Sequence, residues 1–337
     1  MKKCLAIILC LVMIFTFAAC GNSDGDAGQE VFEITWAGTL PDEHPFNQAI
    51  YDHIEELEEA TDGRVTVKLF PNNQLGDSRS NLEQMQQNGS VQMGEMSGAV
   101  LAGFTDMYSA LSLPFLFDDL DQALAFMQSD YAVSLEDRLA EEVGVRPLYW
   151  VYNDSRTLTN SVRPVDSPDD MNGLKIRVME SDVYLETFEA LGASPITMSF
   201  AEVFSGLQQG TIDGQDNGAA ITVSNRFYEV QDYFTDLNHV IDMAPVLISE
   251  DYWQSMPEDC QQALREFVKN VCDENTQTVY AQNEEYIDEI SQYCEVTRLT
   301  DEQRAAFRDA CQGVYDWFAA TYPNGGLDEI LAALEEL

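Results

Sequence analysis

Positive charge is what this sequence has least of. Its 337 residues carry 17 Lys and Arg against 59 Asp and Glu, a formal net charge of −42, with only three histidines. That balance excludes nucleic acid as a partner, because phosphate backbones are gripped by clustered Lys and Arg. There is no His-Glu-x-x-His and no phosphate-binding Gly-rich loop ending in Gly-Lys, so the sequence offers no motif for zinc peptidase or nucleotide chemistry. Long apolar runs are equally scarce. The single one, Leu5 to Ala18 behind Lys2 and Lys3, is shorter than a comfortable bilayer span and reads as a secretory signal peptide. The acids do not imply disorder: hydrophobic residues make up 45% of the chain, enough for a sizeable core under an acidic coat.

The apolar run ends in Phe17-Ala18-Ala19-Cys20, which resembles a bacterial lipobox, and Gly21 to Gln29 has the composition of a flexible linker. We therefore expect residues 1–19 to be removed and Cys20 to carry a lipid anchor; a plain signal peptide cut after Ala19 is the alternative. Cys4 and Cys10 leave with the signal, so Cys260, Cys272, Cys294 and Cys311 remain. Cys260 and Cys272 share a helical pattern that would hold them roughly 18 Å apart, beyond the reach of a disulfide. Buried thiols and one distant bridge both stay open, and no Cys or His spacing points to a metal.

Phe32, Ile34 and Trp36 alternate with Glu33 and Thr35, the mark of a strand with one buried face. A helical stripe of Phe46, Ile50, Ile54 and Leu57 follows, stopped at Gly63, and Val65, Val67 and Leu69 alternate again. Strand, helix and strand with short connections form a βαβ unit, hence a parallel sheet covered by helices. A second α/β block begins with Leu174 to Val178, continues as a helix from Ser181 to Ala190, and returns as a strand over 196–198. Ser199 and Glu202 fit a capping box before a helix ending at Gly210. The tail reads as a long helix from about Glu258 into the 280s and another from about Asp301 to Tyr322.

Since basic residues are scarce, their placement carries information. Five of them, Arg146, Arg156, Arg163, Lys175 and Arg177, fall within one short stretch and make it a candidate anion site, with solvated surface arginines as the alternative. Arg177 is best placed, near the C-terminal end of an apolar strand, where ligands dock in open α/β sheets. An arginine buried there requires a carboxylate to offset its desolvation.

Several spaced segments resemble the solute-binding proteins of tripartite ATP-independent periplasmic (TRAP) transporters, of the dicarboxylate- and sialic-acid-binding type. They are Gly173-Leu-Lys-Ile-Arg-Val178, Leu191-Gly-Ala-Ser-Pro195, Met198-Ser-Phe-Ala-Glu-Val203 and Leu207-Gln-Gln-Gly-Thr-Ile-Asp-Gly-Gln-Asp-Asn217. Upstream, Thr61-Asp-Gly-Arg-Val65, Phe70-Pro-Asn-Asn-Gln-Leu-Gly76 and Leu113-Pro-Phe-Leu-Phe117 extend the likeness. The resemblance implies an α/β, two-lobed periplasmic-binding-protein fold of type II-like form, with an interdomain ligand cleft and a long C-terminal helix spanning both lobes. Lobe 1 would comprise 31–153 plus about 243–282, and lobe 2 would comprise 154–242 plus about 283–337, after a lipidated linker over 20–30.

It further implies that Arg177 holds a substrate carboxylate by a two-pronged salt bridge, for which a planar guanidinium is suited and an ammonium is not. Arg156, in Tyr152-Asn-Asp-Ser-Arg156, matches a second ligand arginine of the sialic-acid branch. Asn217 would bond the same carboxylate, Phe200 would pack on the ligand, and His239 would lie near the site. Glu95 and Ser97 are the candidates for contacts from lobe 1. The family pattern reads Asp-Gly-Gln-Glu-Asn-Pro where this chain has Asp216 and Gly218, so a looser turn is expected at Gly218. The implied partners are a small organic acid and a membrane permease, with no cofactor or metal and no enzymatic step. The second arginine favours sugar acids such as hexuronates or sialic acid, with C4-dicarboxylates as the alternative. A binding protein that signals to a membrane receptor and a secreted glycosidase are the rival classes.

Overall fold

The computed structural model describes residues 30–337, so the signal peptide, Cys20 and the linker expected in the sequence lie outside the described residues. Among the described residues eleven strands form two mixed sheets. The strands are β1 (Phe32–Ala37), β2 (Val65–Phe70), β3 (Met93–Glu95), β4 (Val145–Ser155), β5 (Thr157–Asn160) and β6 (Lys175–Val178). They continue with β7 (Ser194–Thr197), β8 (Gly214–Asn217), β9 (Tyr233–Asp236), β10 (Ile241–Ser249) and β11 (Glu295–Arg298). The first sheet has the order β2-β1-β3-β10-β4 and the second β11-β9-β5-β8-β6-β7.

The expected βαβ unit is present: β1 and β2 pair in parallel with Phe32 opposite Val65, joined by the helix Pro45–Ala60. That helix starts where His44 accepts a hydrogen bond from the Phe46 amide, and it stops before Gly63, whose φ of +74° suits a residue without Cβ. The second block also follows the sequence pattern, with β6 parallel to both β7 and β8.

Neither sheet is purely parallel, because β10 runs antiparallel to β3 and β4, and β5 antiparallel to β8 and β9. The reason is topological. β4 leaves the first sheet at Ser155 and, after Arg156 alone, continues as β5 of the second, while β9 returns through 237–240 into β10. The two crossings are bonded to each other through the Arg156 amide and the Val240 carbonyl, 2.8 Å apart.

Two helical expectations need correction. The run from Asp301 to Tyr322 is two helices, Asp301–Ala310 and Gln312–Thr321, interrupted at Cys311. Ser199 does not close a capping box: its hydroxyl donates to the Glu202 carboxylate, and a 3₁₀ turn, Phe200–Glu202, leads into the helix Val203–Gln209.

The 24-residue helix Glu258–Ala281 lies against the helix Pro45–Ala60 and β4. The next helix, Asn283–Ile290, packs on Ala219–Ser224 beside the second sheet, so the helical tail carries the chain from one lobe to the other. Cys260, Cys272, Cys294 and Cys311 are buried free thiols, which settles the open question of bridges. Trp36, fully buried, sits edge-on to Phe46 and to Phe267 of the long helix, tying the first sheet to both helices. Phe267→Ala should therefore cost about 3–5 kcal/mol of unfolding free energy, measured by urea titration.

Candidate functional site

A cavity of about 180 Å³ opens between the two sheets, at the C-terminal ends of their parallel strands. The first lobe contributes Thr39 after β1, Asn73 and Asp77 after β2, Glu95 ending β3, and Ser97. The second contributes Arg177 and Glu180 from the end of β6, Met198 and Phe200 after β7, and Asn217 ending β8. Asn153 comes from β4, Arg156 from the β4–β5 crossing, and Asp242 and Ala244 from β10. Of the five-residue basic stretch, only Arg156 and Arg177 reach the cavity. Arg146 is taken by Glu250 and Asp137, and Arg163 donates to the Asp170 and Asn172 carbonyls, so the stretch as a whole is not an anion site.

The two arginines differ in what neutralises them. Arg156, 1% exposed, donates from Nε to Asp216 Oδ2 at 2.8 Å and from Nη1 to Asp242 Oδ2 at 3.1 Å. Its Nη2 donates to the Asp216 carbonyl and to Asn217 Oδ1, and its plane lies over the Tyr184 ring. Burial opposes its charge, but Asp216, Tyr184 and Asp242 outweigh burial and raise its pKa; in return Asp216 is held below the usual carboxylate range despite its own burial.

Arg177, 3% exposed, is satisfied only in part. Its Nε and Nη2 both donate to the Met198 carbonyl, at 2.9 and 2.8 Å, and it has no ion-pair partner among the described residues. Burial, with the like charge of Arg156 adding to it, draws its pKa down to about 10, against the attraction of Asp216. The guanidinium is also 6.0 Å from the centroid of the Phe200 ring.

On the opposite wall Glu95 is 7% exposed, and its two oxygens accept from Trp36 Nε1 at 3.0 Å and from the Thr39 amide at 3.1 Å. Burial raises its pKa and these donors lower it, the net direction being upward. Ser97 caps the short helix Gly98–Leu101, its Oγ accepting from the Ala99 amide. Asn73 is fixed in a left-handed turn, φ +56°, by its amide donating to the Gly38 carbonyl.

Six of the residues anticipated from sequence thus meet around one space: Arg177, Arg156, Asn217, Phe200, Glu95 and Ser97. His239 does not join them. It is wholly buried behind Asp216, with Nε2 3.5 Å from Asp216 Oδ2 and Nδ1 bonded to the Arg156 carbonyl, so it supports the second layer and cannot touch a ligand. Gly218 is no loose turn either, since the Asp154 carboxylate is packed against it. Sequence reading missed Asn73, Asp77, Arg79, Asn153 and Asp242. The first two lie in the segment between β2 of the βαβ unit and the helix Ser78–Gln86, which Asp77 caps, where a ligand-facing loop was to be expected.

Asp154, buried beside Asp242, accepts from the Ser155 and Ala220 amides at 2.8 and 2.9 Å. Burial dominates over those donors and over Arg156, lifting its carboxyl from 3.8 to about 7. Between those values the folded chain holds a proton that the unfolded chain lacks. This group's stabilising contribution is therefore complete below the unfolded pKa and lost as pH rises through the folded one. Asp154→Asn should flatten the loss of urea-unfolding free energy between about pH 4 and pH 8; an undiminished slope would contradict the assignment.

Among the described residues no group of His, Cys, Asp and Glu is arranged to hold a metal, and no helix is long and apolar enough to cross a membrane. A sequence model described as bacterial extracellular solute-binding protein, family 7 (DctP), matches residues 36–321. The chain is 33% identical over 338 residues to the C4-dicarboxylate-binding periplasmic protein DctP of Vibrio cholerae, covering 99% of this chain and 98% of that one. Its fold superposes with a TM-score of 0.86 on the sugar acid binding protein DctPAm from Advenella mimigardefordensis in complex with galactonate, at 26% identity over 91% of this chain and 99% of that one. A TRAP periplasmic solute-binding protein from Shewanella oneidensis with bound succinate gives 0.84, at 30% identity over 90% and 99%. With a two-sheet fold, a cleft at the strand ends and a family match over most of its length, the chain belongs to family 7 of the bacterial extracellular solute-binding proteins, the substrate-binding subunits of TRAP transporters, and is not an enzyme.

Proposed function

We propose that this protein captures a small hydroxylated carboxylic acid, of the sugar-acid class, and delivers it to the membrane permease of a TRAP transporter. The observation that carries the reading is Arg177: a buried guanidinium facing the cleft with one carbonyl for company. Burying such a charge is strongly unfavourable unless a carboxylate meets it, and a ligand acid supplies that partner in a two-pronged geometry. Phe200 and the free amide hydrogen of Asn217 then bound the same end of the ligand.

Galactonate and succinate, found in the two solved relatives, differ at the far end of the molecule. The preference for a sugar acid rests on that far wall rather than on Arg156, whose charge Asp216 and Asp242 already neutralise. Glu95 and Asp77 line the cavity there and can accept hydrogen bonds from ligand hydroxyls, whereas they would repel a second carboxylate. Arg79, the other cation of the wall, is half exposed and paired with Glu83. A dicarboxylate would therefore bind less well than a monoacid bearing several hydroxyls.

In this reading residues 31–153 with 243–282 and residues 154–242 with 283–337 close on the acid about the crossings at Arg156 and 237–240. The acid anchors to Arg177 first, and contacts from Glu95 and Ser97 then favour the closed form, which the permease recognises. Cys20 carries the lipid that keeps the protein at the membrane. Cys20→Ser should move the expressed protein from the membrane to the soluble extracytoplasmic fraction on immunoblotting.

A thermal-shift screen of D-galactonate, D-glucuronate, N-acetylneuraminate and succinate tests the class. A tight ligand in thousandfold excess over its dissociation constant adds about 4 kcal/mol of stability, readily seen as a rise in melting temperature. Arg177→Ala should weaken calorimetric binding of the best acid by about 30-fold to several-thousand-fold, the cost of truncating one partner of a desolvated charge pair. A change under about threefold would refute the role of Arg177.

A further inference from the structure

Gly218 directly follows Asn217 and has φ −73° and ψ 175°, an extended conformation open to any residue. Its backbone angles therefore do not require glycine; its neighbour does. A Cβ built on Gly218 would fall 1.9 Å from Asp154 Cγ, 2.0 Å from Asp154 Oδ2 and 2.2 Å from Asp154 Cβ. The space that a side chain at 218 would occupy is thus filled by another side chain, from β4 of the opposite sheet.

Asp154 is held there from both sides. Its Oδ2 accepts from the Ala220 amide at 2.9 Å, three residues beyond Asn217, and its Oδ1 from the Ser155 amide at 2.8 Å. On the strand ladder it stands opposite Asp242, whose carboxylate takes Arg156 and Asn153. Asn217, for its part, accepts from Arg156 Nη2 and donates to Gln215 Oε1. One carboxylate therefore ties the end of the crossing strand to the backbone that presents Asn217 to the cleft.

We infer that Asp154 is a positioning residue of the binding site: by filling the place of a Cβ at position 218 it seats Asn217 beside Arg156, and Asp154 and Gly218 act as one unit. The consequence for affinity rests on the carboxylate-binding reading above, but the coupling itself does not. Asp154 touches no ligand; it acts through Asn217, and any side chain at 218 must displace it.

A double-mutant cycle with Gly218→Ala and Asp154→Gly tests this, glycine being needed at 154 because the Asp154 Cβ itself lies inside the contact. Three quantities are measured on each variant of the full mature chain: the melting temperature without ligand, the side-chain amide resonances of Asn217 (assigned by their loss in Asn217→Asp), and calorimetric affinity for whichever of the four acids stabilises the wild type most. In the wild-type background Gly218→Ala should lower the melting temperature, shift the Asn217 amide resonances and weaken acid binding about tenfold or more. In the Asp154→Gly background the same substitution should have less than about a twofold effect on affinity and little on melting or on the Asn217 signal. Equal effects of Gly218→Ala in both backgrounds, or an Asn217 signal that stays put in Asp154→Gly, would overturn the proposal. If none of the four acids binds, the carboxylate reading fails, while melting and the Asn217 resonances still decide the coupling.

Discussion

The Arg177 guanidinium is buried at the end of β6 against a single carbonyl oxygen, and the cleft is organised around that missing negative charge. In a chain with so many acids, leaving this cation without a carboxylate requires that the buried acids nearby be occupied elsewhere. Asp216 and Asp242 are both spent on Arg156, and Asp154 is turned onto backbone amides. Were any of them free to swing onto Arg177, a ligand acid would have to displace it first, and the difference in charge between empty and filled cleft would shrink.

The same residues sit where the chain passes between the lobes. Arg156 is the sole residue between β4 and β5, so the group that gathers two carboxylates also marks a point at which the sheets can pivot. His239 and Tyr184 close off this layer from behind, which keeps the charges desolvated and their mutual attraction strong. A rigid buried ion-pair network at the pivot and an unsatisfied cation in the cleft are complementary: the first fixes geometry, and the second makes closure depend on what is bound.

Much of this was legible in the sequence, for reasons that can be named. Alternation over 32–36 and the stripe from Phe46 to Leu57 gave β1 and the helix after it because burial of one face sets the period. Arg177 was legible because an arginine at the end of an apolar strand has few other purposes. Contacts between residues far apart in the chain were not. Nothing local reveals that Asp216 and Asp242 consume the charge of Arg156, or that Asp154 fills the space at Gly218, so the neutralisation of Arg156 was hidden and Gly218 looked like a loose turn. His239 failed in the same way, its place behind Asp216 being a product of packing. The break at Cys311 escaped because both helices continue the same apolar pattern.

The central claim is that the cleft binds by neutralising Arg177 with a ligand carboxylate. It is tested most directly by comparing, on the wild-type protein, the calorimetric affinity of the best-binding acid with that of its uncharged carboxamide. The amide should bind at least about 30-fold more weakly, the scale expected when a desolvated charge pair loses one partner. Equal affinity for the two would contradict it.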